Sequence, residues 1–350
     1  MNKALKYGIS AVLFIAFFFI GIEIAARAFP GRAQRNTSFP LETKRDATSQ
    51  SGTTLREADP RRNEPAGPTG NPEAPSAFNF NPDDASNAAV STARAASTAY
   101  RVLNTDGMTV QTRFDAPQGY RRIPAEEDSF AAYLRRLPLK KDGEPVLYYD
   151  GREKSDDAYI AVVDQAISNK DLHQCADAVI RLRAQFLYEQ GRYDDIAFHF
   201  VSGFLCDYAS WRAGKRVKLN NGTPYWEQSA VPDSGEEKFQ AYLETVYAYA
   251  STLSLEKELT AADVTDMRIG DVFIVGGSPG HAVIVVDMAE NDTGKKCFML
   301  AQSYMPAQQT QILRNLQDES ISPWYPLDFG KSLVTPQWTF ARDQLKRFPF

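Results

Sequence analysis

The stretch GDVFIVGGSPGHAVIVVDMA, residues 270–289, decides the fold because it holds two apolar runs around a glycine- and proline-rich turn. Short runs rich in Val and Ile that are bounded by such turns are typical of buried strands. A third run, KKCFMLAQSY at residues 295–304, follows after the tight turn at 291–294. The three runs predict an antiparallel meander.

Apolar residues upstream of this meander recur mainly at helical spacing. The pattern predicts helices over Phe130–Leu139, Ala158–Ile167, Asp177–Tyr188 and Glu237–Leu255, and short strands at Val146–Tyr149 and Ile196–Phe200. A helical half followed by an antiparallel sheet predicts an α+β domain.

The first thirty residues resemble an export or membrane segment. Lys3 and Lys6 precede sixteen residues without a charge, Tyr7 to Ile22. We expect residues 1–30 to form a single-pass anchor with the lysines on the cytoplasmic side. A cleaved signal is the alternative. Both interpretations predict a domain in the bacterial cell envelope. The anchor would tether the domain to the inner membrane in the periplasm, whereas a cleaved signal would leave it exported.

Residues 31–115 are rich in Pro, Ser, Thr and Ala and poor in large aliphatic residues, which predicts a disordered linker. The folded domain is expected over residues 116–350. A net charge of -5 in 350 residues excludes a broad basic surface and argues against nucleic acid as a partner. The three scattered histidines lack metal-ligand spacing and no phosphate-binding loop occurs, so no cofactor is expected.

One of the three cysteines is suited to nucleophilic chemistry. Cys175 lies just before or within the first turn of the strong helix predicted over residues 177–188, where free backbone N–H groups and the helix dipole favour a thiolate. Cys297 lies inside an apolar strand, and Cys206 is also interpreted as a core thiol. A buried helix residue is the alternative for Cys175 itself.

The base for such a nucleophile would be His281, which begins a strand beside a glycine turn. His173 is only two residues from Cys175, and His199 lies in an aromatic strand and is interpreted as a core residue. Gln302 is the first polar residue on the following strand, where its amide oxygen could orient the imidazole.

The order of Cys at a helix start, GDVFI, GHAVIVVD and a strand with a polar residue resembles the papain-like NlpC/P60 and CHAP cysteine peptidases and amidases. This resemblance implies a papain-like fold, with Cys175 as nucleophile, His281 as base and Gln302 as orienting residue. The segments QCADAVIRLRAQFLY, GDVFIVGGSPGHAVIVVDMA and LAQSYMPAQ are also similar to the DUF4846 family of exported proteins, over about residues 120–350.

The chain departs from the NlpC/P60 pattern in two ways. Gln174 stands where an Asp usually precedes the cysteine, and about a hundred residues separate Cys175 from His281. The insert at about 207–260 carries Trp211, Arg212, Arg216 and Trp226, which could line a substrate groove. Surface charges and two core tryptophans are the alternative interpretation.

The sequence thus predicts a cysteine peptidase or amidase that acts by acyl transfer on an amide bond. Location and resemblance suggest the peptide of the cell wall, peptidoglycan, as substrate. A catalytically inactive envelope binding module with the same fold is the alternative.

Overall fold

Strand β9 (His281–Asn291) lies at the centre of the main sheet in the computed structural model, which describes residues 102–349. Its neighbours are β8 (Val272–Val275) and β10 (Lys296–Gln302), and both pair with it in antiparallel register. The predicted three-stranded meander is therefore confirmed. Mixed helices and antiparallel strands confirm the α+β class.

The remaining elements surround this meander. The helices are α1 (Val110–Arg113), α2 (Phe130–Arg135), α3 (Cys175–Glu189), α4 (Tyr208–Arg212), α5 (Glu236–Tyr249) and α6 (Thr252–Glu258). The other strands are β1 (Tyr120–Arg122), β2 (Tyr159–Val162), β3 (Ala197–His199), β4 (Leu205–Asp207), β5 (Lys215–Asn220), β6 (Thr223–Gln228), β7 (Thr260–Ala261), β11 (Gln311–Leu313), β12 (Tyr325–Pro326), β13 (Ser332–Val334), β14 (Thr339–Ala341) and β15 (Leu345–Arg347).

The main sheet has nine strands, and its path runs β2-β11-β10-β9-β8-β15-β7. In addition, β1 pairs with the end of β9, and β12 pairs with the start of β10. Three separate two-stranded sheets form from β3 with β4, β5 with β6, and β13 with β14. The β5–β6 hairpin turns at Asn221 and Gly222, whose φ angles are 49° and 81°.

Both faces of β9 are buried, because alternate side chains enter two different apolar clusters. Ala282, Ile284 and Val286 face the cluster that contains the helices, whereas Val283 and Val285 face the cluster of the C-terminal strands. Each fully buried Val or Ile side chain contributes about 1.5–3 kcal/mol. Coverage on both sides explains why the strand lacks the polar alternation of a one-sided sheet.

Helix α3 packs against β9 and begins with a capping hydrogen bond. The Asp177 side-chain oxygen accepts the Gln174 backbone N–H at 3.0 Å. The helix continues through a run free of glycine and proline. The predicted helix over Asp177–Tyr188 is thus confirmed, and it begins at Cys175.

Asp287, on β9, links two earlier elements to the sheet. Its carboxylate is fully buried and pairs with Arg122 at 2.6 Å and with Arg135 at 2.5 Å. These guanidiniums belong to β1 and α2, respectively. A single buried anion therefore holds a strand and a helix against the centre of the sheet.

Some local predictions were wrong. The helix predicted over Ala158–Ile167 contains strand β2, because its YIAV segment pairs with β11. The helix predicted over Glu237–Leu255 is two helices, since Ala250 leaves the helical conformation at ψ 170° and Ser251 caps α6. The strand predicted at Val146–Tyr149 makes only isolated bridges.

The packed region begins before residue 116. The Asn104 amide donates to Arg113 at 2.7 Å, and the Asp115 amide donates to Val102 at 2.8 Å. The Arg113 side chain is buried and donates to the Gly107 carbonyl at 2.6 Å. The predicted membrane segment and most of the predicted linker lie outside the described residues. None of the helices between residues 102 and 349 combines the length and apolar character that a membrane span requires.

Candidate functional site

The turn between β8 and β9 places His281 at the start of its strand. A Cβ atom at Gly280 would lie 2.5 Å from the Gly277 carbonyl oxygen and 2.5 Å from the Thr252 hydroxyl. These distances are too short for any side chain, so the turn needs glycine at this position. The Thr252 hydroxyl also donates to the Gly277 carbonyl at 3.3 Å, which ties the turn to α6.

The His281 ring is buried and bonded to Gln302. Its Nε2 lies 2.7 Å from Gln302 Oε1. An amide oxygen only accepts hydrogen bonds, so Nε2 carries the proton and Nδ1 keeps a lone pair. Burial is the main cause that lowers the His281 pKa to about 4, and the charge of Lys154 acts in the same direction. The imidazole is therefore neutral at pH 7.

Aromatic side chains enclose the imidazole. Its centroid lies 4.9 Å from that of Tyr304, 5.4 Å from Trp338 and 6.0 Å from Phe340. Trp338 and Phe340 come from the C-terminal tail, which the sequence analysis did not connect with the site. These rings exclude water and hold the imidazole in one orientation.

A chain of hydrogen-bonded polar side chains continues beyond Gln302, from the buried Lys154 and Gln308 to the half-buried Gln337 and the exposed Asp156. Its Nε2 donates to Gln337 Oε1 at 2.6 Å, which fixes the orientation of the Gln302 amide. The same Gln337 oxygen accepts from Lys154 at 3.1 Å, and Gln337 donates to Asp156 at 3.2 Å. Lys154 also pairs with Asp156 at 3.5 Å and donates to Gln308 at 2.9 Å. The network around His281 therefore includes Lys154, and burial lowers the pKa of this lysine.

Sequence reasoning missed this network. Lys154, Asp156 and Gln337 stand in segments without a motif, and long-range packing brings them together. The sequence contains one signal of this network, the polar run AQQTQ at 307–311. Every residue of this run is buried in the structure. A buried polar run needs partners, and therefore marks a network.

Cys175 is the first residue of α3 and is 7% exposed. Its sulfur is close enough to the Ala282 backbone N–H, one residue after His281, for that group to lower the thiol pKa. Burial and the charge of Asp177 act more strongly in the opposite sense and raise the pKa to about 11. The residue is thus a neutral thiol at pH 7. Within residues 102–349, no hydrogen bond joins this sulfur to the His281 ring.

Tyr304 connects the two candidate residues. Its ring packs on His281, and its hydroxyl pKa is raised first by burial and then by the charge of Cys175. The side chain is half-buried, and its neighbour Met305 is 56% exposed. The Cys175–His281 region therefore approaches the surface at Tyr304.

The other cysteines and histidines lie elsewhere. Cys206 and Cys297 are buried and unpaired, as expected for core thiols. His173 is buried and bonds to Thr310 at 3.1 Å, and burial lowers its pKa to about 3. The interpretation of His199 as a core residue was wrong, because its ring is exposed and faces Glu258 at 3.4 Å.

The predicted groove residues are not brought to this site. Trp211 is buried and donates to the Lys238 carbonyl, and the Arg216 guanidinium stacks on it at 4.1 Å. The half-buried Arg212 pairs with the exposed Asp194 at 2.9 Å. Trp226 packs on Phe204 with centroids 5.6 Å apart. The contacts that the structure shows for these four side chains involve other residues, and none of these contacts involves Cys175, His281 or Gln302.

Asp271, in the GDV segment, has a structural role. Its carboxylate is buried and accepts two bonds from Arg347, at 2.6 and 2.8 Å. It also accepts the Arg268 backbone N–H at 2.8 Å. In the part of the chain that the structure describes, no group of three or more His, Cys, Asp or Glu side chains could hold a metal ion.

A family model with the description "Domain of unknown function (4846)" matches residues 110–347. No curated protein matches the chain. No solved structure matches it either. The match begins at the first residue of α1 and ends at the last residue of β15, so it covers nearly all of the described fold.

Proposed function

Because the chain belongs to the DUF4846 family, whose description names no activity, we propose a function from its own residues. The proposed function is a cysteine hydrolase that cleaves an amide or peptide bond. Cys175 is the nucleophile, His281 the general base and Gln302 the residue that orients the base.

The observation that carries this proposal is the hydrogen bond of 2.7 Å from His281 Nε2 to Gln302 Oε1. This bond selects the tautomer whose free Nδ1 can accept a proton. Cys175 stands at a helix start against the backbone of the neighbouring Ala282. The proposal requires a movement of either side chain that brings the thiol to Nδ1, because apo geometries of such pairs are often loose.

The raised pKa of Cys175 and the lowered pKa of His281 support a mechanism that starts from a neutral pair. As sulfur attacks the carbonyl carbon, the S–H proton moves to His281 Nδ1 and the carbonyl π electrons move to oxygen. The backbone N–H of Cys175, which lies at the helix start and has no i−4 carbonyl partner within α3, is the candidate donor to this oxyanion.

Collapse of the tetrahedral intermediate breaks the C–N bond, and His281 returns its proton to the leaving amine. Water then attacks the thioester while His281 Nδ1 accepts its proton. Release of the acid breaks the C–S bond, and the proton returns to sulfur. The hydrolysis consumes one water and leaves both side chains as they began.

The proposal extends to a papain-like fold of the NlpC/P60 and CHAP type and to the cell-wall peptide as substrate. The order of Cys-bearing helix, His-bearing strand and Gln-bearing strand supports the first. The choice of the cell-wall peptide as substrate depends only on the predicted N-terminal anchor and the cell-envelope location that it implies.

A catalytically inactive binding module is the second candidate. Burial and the raised pKa of Cys175 favour it, because a nucleophile is usually activated by a lowered pKa. In that case the Cys175–His281 region would be a remnant of a catalytic site or part of a recognition surface.

The test is cleavage of isolated cell-wall peptide by the purified full-length chain, with new amino groups as the readout. We expect cleavage by the natural sequence and by Cys297→Ala, which changes a buried cysteine outside the site. Cys175→Ala and His281→Gln should lose it. Equal cleavage by Cys175→Ala would refute the assignment. Absence of cleavage, combined with retained binding of the peptide, would favour the binding module.

A further inference from the structure

A polar pocket of about 400 Å³ lies between α2, α3 and α5. Its lining includes Tyr133, Gln165, Arg181, Gln185, Glu189 and Glu236. Neither Cys175 nor His281 contributes to it. The volume is in the range of small-molecule sites, roughly 300–1,000 Å³. The pocket is therefore independent of the proposed catalytic site.

The lining of this pocket includes a guanidinium without a counter-ion among the residues that the structure describes. Arg181 is 9% exposed, and its Nη1 donates to the Ala166 carbonyl at 2.6 Å. Its buried Nε has no partner, and it forms no ion pair with any residue that the structure describes. Asp177 lies one turn earlier on α3, but burial raises its pKa to about 8, so it is mostly neutral at pH 7. A buried unpaired charge is costly and calls for an anion.

An unpaired acceptor lies in the same pocket. The Gln165 side-chain amide bonds to the Tyr133 hydroxyl, and its Oε1 atom is buried without a hydrogen-bond partner. The residues with such atoms within 102–349 are Gln165, His173, Asp177, Arg181 and Tyr247. The charge of Arg181 shifts the pKa values of His173 and Tyr247, so these groups share one region around it. The pocket therefore offers a donor for an anion and an acceptor for an N–H group.

Exposed charges at the rim select among anions. Asp164, Glu189 and Glu236 are exposed carboxylates that line the pocket, and Arg136 is the exposed cation there. Three carboxylates against two guanidiniums repel a dianion such as phosphate. The same carboxylates attract an amino group.

We propose that this pocket binds a short zwitterionic peptide by its free carboxylate. The carboxylate pairs with Arg181, an amide N–H of the ligand donates to Gln165 Oε1, and the amino group faces the acidic rim. Gln185 and Gln240 donate to Glu189 at 3.2 Å and to Glu236 at 2.7 Å, respectively, and their amide oxygens are acceptors for the peptide backbone. This function is separate from catalysis at Cys175.

The test is calorimetric titration of the full-length chain with dialanine, dialanine amide and inorganic phosphate. We expect dialanine to bind, and the amide, which lacks the carboxylate, to bind at least tenfold more weakly. Arg181→Met should weaken dialanine binding at least tenfold. Its melting temperature should be equal or higher, because it removes an unpaired buried charge. Gln165→Leu provides a second variant, and its binding should also weaken.

Cys175→Ala should bind dialanine as the natural sequence does, which separates this proposal from the proposed hydrolase. Equal binding of dialanine and its amide would overturn the proposal. Unchanged binding by both Arg181→Met and Gln165→Leu would do the same. Binding of phosphate in place of dialanine, or no binding of dialanine at millimolar concentration, would also reject it.

Discussion

Replacement of the buried carboxylate of Asp287 by the amide, Asp287→Asn, should strongly destabilise the fold. Asp287 is fully buried and neutralises two guanidiniums, those of Arg122 and Arg135. The Asn side chain keeps one oxygen, which can still accept from one of them. Its NH₂ group would face the other guanidinium, so that two donors would oppose each other.

The magnitude follows from the burial of the partners. Removal of one member of a buried ion pair costs about 3–5 kcal/mol, because an uncompensated charge remains. The Arg135 side chain is only 8% exposed, whereas that of Arg122 is 20% exposed and can recover some hydration. We therefore expect a loss of about 3 kcal/mol in unfolding free energy. For a fold of this size, the melting temperature would fall by roughly 6–12 °C.

Urea unfolding followed by circular dichroism measures this loss, and Asp292→Asn is the matched control. Asp292 pairs with Arg121 near the same end of β9, but both side chains are more than three-quarters exposed. The control should change stability little, since exposed pairs contribute little. A loss below about 1 kcal/mol for Asp287→Asn, or equal losses for both variants, would refute the role assigned to this carboxylate.

Three further predictions concern the candidate site. The folded-state pKa of His281, about 4, lies below its unfolded value of 6.5, so the unfolded chain binds the proton first as pH falls. As the pH falls from 6.5 to 5, protonation of His281 in the unfolded chain should therefore lower the free energy of unfolding by about 1.5 kcal/mol. Urea unfolding at the two pH values should show a correspondingly smaller loss for His281→Gln. Gln302→Glu should raise the His281 pKa, since a carboxylate would replace an amide oxygen 2.7 Å from Nε2; an unchanged value in an NMR titration would contradict the geometry. At pH 8 Cys175 should react with iodoacetamide about a hundredfold more slowly than a thiol of pKa 9.0, because its pKa is about 11; peptide mapping by mass spectrometry would reveal a fast reaction, which would show that the thiol is activated.

The meander was predictable because local patterns determine it. The Val- and Ile-rich runs, the glycine turn and the tight turn at 291–294 each favour the same arrangement, and the strand neighbours follow each other in sequence. The pairing of His281 with Gln302 was predictable for the same reason, because adjacent strands place their side chains next to each other.

The errors occurred where long-range contacts override local preference. The segment Tyr159–Val162 forms a strand only by pairing with residues 311–313, about 150 positions later. Gln337 reaches Gln302 from a tail that shows no helical or strand periodicity. The exposure of His199 depends on where β3 lies relative to the core. Apart from the polar run at 307–311, such contacts leave no trace in spacing or composition.

The β5–β6 hairpin pairs only with itself, and its tip at Asn221 and Gly222 is exposed. Both residues adopt left-handed backbone conformations, which suit a two-residue turn between antiparallel strands. Exposed tips of this kind tolerate insertions, because no buried backbone depends on them. An epitope or a dye-labelling tag placed between Asn221 and Gly222 would therefore report where the domain resides in the cell, while the sheet that carries His281 and the pocket around Arg181 stay intact.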